Sequence, residues 1–137
     1  MNTHNDFNDL EFEKRFKDCS LNPSLFTHEA HLRLAWIYIT SYDLEVACDM
    51  ITNQILAYVV SLGETDKFNK TLTVAAIKIV NHFIQKSTST SFQNFIIEFP
   101  ELNYNFKQLI NSHYSFDIFN SEKAKKTFLE PDLLVFS

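Results

Sequence analysis

The chain has 137 residues with a net charge of −5, and 45% of it is hydrophobic, including 14 Phe but only one Gly and three Pro. A chain of this length forms one domain that buries about two-thirds of its unfolded surface, so its core needs neither disulfide nor metal, and its aromatic content excludes disorder. The scarcity of Gly and Pro excludes a turn-rich all-β fold and any Gly-rich phosphate loop, and the acidic balance argues against nucleic acid, whose partners carry a basic stripe.

The elements follow in chain order. Apolar Phe7, Leu10, Phe12 and Phe16 among charged neighbours predict a first helix over Asp6 to Cys19. Ser20 to Leu25, with Pro23 inside, is a connection. Thr27 caps a second helix that runs to about Thr40, and Asp43 caps a third over Leu44 to Leu62. The third helix carries the stripe Leu44, Ala47, Cys48, Ile51, Ile55, Tyr58, Val59 and Leu62 and stops at Gly63, a natural left-handed terminator. A polar loop over Glu64 to Asn69 precedes a fourth helix over Lys70 to Lys86. That helix is apolar on two sides, which places it centrally.

Ser87 to Ser91 is a linker. Phe92 to Phe99 is a short helix ended by Pro100, Leu102 to Asn111 is a sixth, and Ser121 opens a last one to about Leu129. Glu130 to Ser137 contains Pro131 and reads as an extended tail. The expected fold is all-α, a single-domain bundle of six or seven helices with a short extended C-terminal tail.

The N-terminal residues have no basic segment followed by an apolar one, so no signal peptide is expected. No apolar run approaches the ~20 residues of a membrane span. Cys19 and Cys48 have no metal-ligand or disulfide-framework spacing. These features predict a cytoplasmic protein with neither membrane nor nucleic-acid partner.

Candidate chemistry concentrates in Phe26-Thr27-His28-Glu29-Ala30-His31-Leu32. His28 and His31, three apart on a helix, project from neighbouring parts of one face. His28 shares the side of Leu32, Ala35 and Ile39 and is expected to point inward, with His31 on the flank. Two imidazoles make an incomplete site for a divalent metal, which needs a further donor from elsewhere. Asp66, Lys67, Asn69 and Lys70 precede the fourth helix, where an anion is favoured and where a polar capping loop is the plainer reading. His82 sits mid-helix beside Phe83, as a packed histidine or as a third imidazole. His113 and Tyr114 close the sixth helix, and Trp36 is core or pocket wall. No nucleophile constellation is legible.

Three stretches resemble a small bacterial all-helical family of unassigned activity. Phe26 through Trp36 is similar to its F-x-H-x-x-H-L-x-x-A-W signature. Lys67-Phe68-Asn69-Lys70-Thr71-Leu72-Thr73 is similar to its K-Y-H-E-T-L-T block. Tyr114-Ser115 through Ser121, Ala124 and Glu130-Pro131-Asp132-Leu133 is similar to its Y-S…S…A…P-D-L ending. The resemblance implies a metal site in which the His and Glu of the second block meet the two histidines of the first. Here those positions are Asn69 and Lys70, a poor transition-metal ligand and a cation, so a divalent metal is disfavoured in this chain.

The functional expectation is a small-molecule site between the second and fourth helices, anchored by His28 and His31 and lined by Trp36, Lys67, Asn69 and Lys70. The alternative is a non-catalytic homo-oligomeric interaction module, such as a homodimer, with a Phe-rich interface, motivated by the surplus of Phe.

Overall fold

Polar side chains at the helix starts fix most element boundaries. In the computed structural model, which describes residues 3–136, all regular structure among those residues is helical. The chain divides into two compact units, one ending at Phe68 and the other beginning at Asn69.

The first unit opens with a single 3-10 turn, His4–Asp6. Helix α1 spans Asp9–Lys17, α2 spans His28–Ser41 and α3 spans Leu44–Ser61, with 3-10 turns at Pro23–Leu25 and Thr65–Lys67. The expected first helix is thus shorter than its apolar pattern. Asn8 accepts a hydrogen bond from the Glu11 amide at 2.8 Å and starts α1 afresh, which leaves Leu10 78% exposed. Thr27 and Asp43 cap α2 and α3 through the Ala30 and Val46 amides, as their spacing predicts.

Gly63, at φ +70°, ends α3: its amide reaches the Val60 carbonyl and the Glu64 amide reaches that of Val59. This is the paired 5→2 and 6→1 arrangement that relieves a helix's last carbonyls. Cys19 holds the same place after α1 at φ 59°. There the Ser20 amide reaches the Arg15 carbonyl. Cys48, on the apolar stripe of α3, is half-buried.

Helices α1, α2 and α3 pack on one another around Phe12, Phe16, Leu34, Tyr38, Ile51 and Tyr58. The rings of Phe16, Phe26 and Tyr58 lie about each other with centroids 4.9–5.2 Å apart. The Tyr58 hydroxyl donates to the Leu21 carbonyl at 2.7 Å, which ties α3 to the connection after α1. Helix α2 is buried at every position from Leu32 to Ile39, Arg33 included.

The second unit begins with α4, Lys70–Lys86, followed by α5, Phe92–Glu98, α6, Glu101–Tyr104, α7, Phe106–Asn111, and α8, Glu122–Lys126. The expected sixth helix is broken in two at Asn105, which leaves helical geometry at φ −129°, ψ 27°. The segment Asn103-Tyr104-Asn105 carries weak helix formers. Helix α4 packs on α7 and α8, and Val80, Phe92, Phe95, Leu102, Ile110, Tyr114, Ile118 and Ala124 fill the core. Ser121 caps α8 through the Ala124 amide. That helix stops at Lys126, short of Leu129, because Thr71 claims the next backbone groups.

The Phe content goes largely inside the fold: among the fourteen, only Phe116 is exposed, at 40%. No helix among the described residues is long and apolar enough to cross a membrane.

Candidate functional site

The sequence-predicted residues fall in both units, His28, His31, Trp36 and Lys67 in the first and Asn69 and Lys70 in the second. His28 is the first residue of α2 and is exposed, not directed inward, since the buried stretch of α2 begins only at Ala30. Trp36 is buried within α2. His31 lies near His28 but is committed locally. Its ring stacks on Phe26 with centroids 3.7 Å apart, and its Nδ1 meets the Thr27 carbonyl at 2.8 Å. Lys67 pairs with Glu64 at 3.1 Å on the surface, and Lys70 is exposed.

Both ends of the Asn69 amide are engaged. Its oxygen caps α4 by accepting from the Leu72 amide at 3.0 Å, and its nitrogen donates to the Ile118 carbonyl at 2.7 Å. Asn at this position therefore holds the start of α4 to the segment after α7. Among the described residues, no three His, Cys, Asp or Glu side chains gather closely enough to hold a metal ion. The donor set of α2 does not complete itself among the described residues.

Packing against its neighbours pushes the His31 pKa down to about 4, opposed by the Thr27 hydrogen bond and aided by the nearby His28. The residue as a whole is exposed, and the Phe26 stack reconciles the two observations: one ring face is covered while the edge meets water. The unfolded chain takes up this proton near 6.5 and the folded one only near 4, so protonation favours unfolding across that window. Stability is therefore expected to fall as pH drops from 6.5 towards 4. The wet edge keeps the effect well under the ~3 kcal/mol of a fully enclosed imidazole. Urea unfolding at pH 7 and at acid pH should show a smaller acid loss in His31→Gln than in the wild type. Identical losses would refute this account.

The second unit contains a cavity of about 340 Å³ that the sequence did not reveal. Helix α4 supplies Lys78 and His82, one turn apart on the same face, with Ile79 and Phe83 beside them. Leu109 of α7 and the residues just past its end, Ser112 and His113, form a second wall. Leu134, Val135 and Phe136 of the C-terminal segment form the third. That wall is pinned in several places. His113 Nδ1 donates to the Leu134 carbonyl at 2.7 Å, and the Leu133 amide returns a bond to the His113 carbonyl at 3.0 Å. The Ser115 amide donates to Asp132 at 2.9 Å, and the Ser115 hydroxyl donates to the same carboxylate. Tyr114 donates to the Leu129 carbonyl at 2.7 Å.

The bond to Leu134 requires hydrogen on Nδ1 of His113, so in the neutral ring Nε2 is the acceptor. The His113 ring also lies 4.4 Å from that of Phe136. His82 is held below the usual histidine range, first by burial and then by the charges of Lys86 and His113. The Lys78 ammonium sits over the rings of Phe128 and Phe136, at 5.5 and 5.9 Å from their centroids. The lining is mainly apolar, with these few polar groups converging on it, which is the usual makeup of a small-molecule pocket.

His82 and His113 are visible in the sequence as single residues. Only the return of a segment some fifty residues downstream of α4 makes them walls of one space. The chain matches no family model, and no curated protein or solved structure matches it either.

Proposed function

We propose that this is a small-molecule-binding helical protein whose site is the cavity between α4, α7 and the C-terminal segment. The observation that carries this reading is the convergence of Lys78, His82 and His113 on a mainly apolar cavity of about 340 Å³. That volume lies at the small end of ligand pockets, which run from about 300 to 1,000 Å³. The proposal places the protein in the cytoplasm on the sequence grounds given above.

Fragment screening by NMR tests it. Compounds that bind should shift the resonances of Lys78, His82, Leu109 and His113. Ser112→Trp, at the exposed rim, should weaken them by about tenfold or more, since an indole at the mouth competes for the same space. Binding that survives Ser112→Trp but is lost in a folded His28→Ala, His31→Ala double variant would move the site to α2 and overturn the proposal. So would a screen in which nothing binds.

A further inference from the structure

We propose that the ligand of this cavity is a small monocarboxylic acid with a compact apolar body, its carboxylate held by Lys78. This rests on the reading of the cavity as a ligand site. The groups lining it are unbalanced in charge. They include one ammonium and two imidazoles but no Asp or Glu. Among the described residues no carboxylate lies within ion-pairing distance of Lys78. Its charge is met instead by the faces of Phe128 and Phe136. Aromatic faces compensate an ammonium only in part, whereas a carboxylate beside it would complete the pair.

The remaining polar groups fit the same ligand. Lys78 and His82 lie one turn apart on α4, so one carboxylate can meet both. His113 stays oriented by its bond to Leu134. The rest of the lining, Ile79, Phe83, Leu109, Leu134, Val135 and Phe136, is apolar. It would solvate a hydrocarbon body and leave a second charge unmatched. A cation finds no carboxylate among these lining groups, and a polyphosphate would exceed the donors.

The test is calorimetric titration of the full chain with two matched pairs, octanoate against octanamide and 1-naphthoate against 1-naphthamide. At least one acid is expected to bind about tenfold or more tightly than its amide. Lys78→Met should remove that preference and bring acid and amide to similar affinity. Lys123→Met, which makes the same charge change on the exposed face of α8, should leave the preference intact. An amide that binds as well as its acid, or acid binding that Lys78→Met leaves unchanged, would overturn the assignment of the ligand class while the cavity remained a binding site. The same holds if neither acid binds but fragments of other chemistry still shift the cavity resonances. If no compound of any class binds, both readings fall.

Discussion

Arg33→Met is expected to destabilise the first unit by about 3 kcal/mol, the mid-range cost of stranding buried partners. Arg33 is 2% exposed, and its guanidinium donates in four directions. Nη1 reaches the His4 carbonyl at 2.6 Å and Nη2 the Phe7 carbonyl at 2.9 Å. Nη2 and Nε both reach Asp9 Oδ1, at 2.8 and 3.1 Å. Nη1 also lies 3.3 Å from His4 Nδ1, which makes that nitrogen the acceptor and assigns the hydrogen on Nε2 to the 2.8 Å bond with Glu29. Phe12 supports the guanidinium from one side, its ring centroid 4.8 Å away.

Methionine fills the volume but donates nothing, so the buried Phe7 carbonyl loses its partner and the His4 carbonyl keeps only the Phe7 amide. Asp9 itself is 48% exposed, so the ion pair contributes less than the carbonyls do. Asp9→Asn is accordingly expected to cost about 1 kcal/mol or less. Arg33→Lys should recover little of the loss, because an ammonium cannot span donors set apart like those of the fork. Urea unfolding gives the free energies, and amide exchange at residues 4–8 should accelerate in Arg33→Met before the rest of the unit opens. A loss below about 1 kcal/mol would show that water or the backbone compensates, and would refute the anchoring role.

Arg33 also shows why some of the fold was legible in the sequence and some was not. Local signals could be read directly: Thr27, Asp43 and Ser121 cap helices, and Gly63 ends one, because each motif closes within a few residues. Arg33 stands inside an apolar run, where a charge ordinarily marks the wet face of a helix. Its burial depends on partners more than twenty residues upstream, which no periodicity displays. The boundaries that moved did so for equally specific reasons. Asn8 restarts α1 and Asn105 interrupts the expected sixth helix.

The candidate site shows the same division. Lys78 and His82 could be placed on one helical face from their spacing alone. Their shared cavity needs a third wall from residues 134–136, and that wall is set by hydrogen bonds from His113, Tyr114 and Ser115 to the tail. The motif-like positions Asn69, Thr71, Tyr114, Ser115 and Asp132 are engaged in holding the second unit together. Sequence alone does not separate that role from ligand binding, because both place polar residues at fixed spacing.

Thr71 is where that architecture is most exposed to a single change. Thr71→Val is expected to lower the stability of the second unit by about 2 kcal/mol, with valine preserving shape and removing only the hydroxyl. The Thr71 side chain is fully buried, and its Oγ1 serves two backbone groups at once. It donates to the Thr127 carbonyl at 2.8 Å and accepts from the Leu129 amide at 3.0 Å. Both belong to the turn that redirects the chain from α8 into the segment walling the cavity. Without the hydroxyl, a carbonyl and an amide lose their partner together, and α8 loses the contact that stops it at Lys126.

Thr73→Val is the matched comparison. The Thr73 hydroxyl bonds back to the Asn69 carbonyl at 2.8 Å, a carbonyl that already accepts from the Thr73 amide, so its loss should cost under about 0.5 kcal/mol. Amide exchange at Leu129 and Leu133 should quicken in Thr71→Val and stay slow in Thr73→Val. Cavity ligands should weaken in the first variant alone, because binding then carries the cost of reordering the wall. Unchanged exchange at Leu129 in Thr71→Val would show that the segment holds its course without this residue, and the link from α4 through Thr71 to the cavity wall would be lost with it.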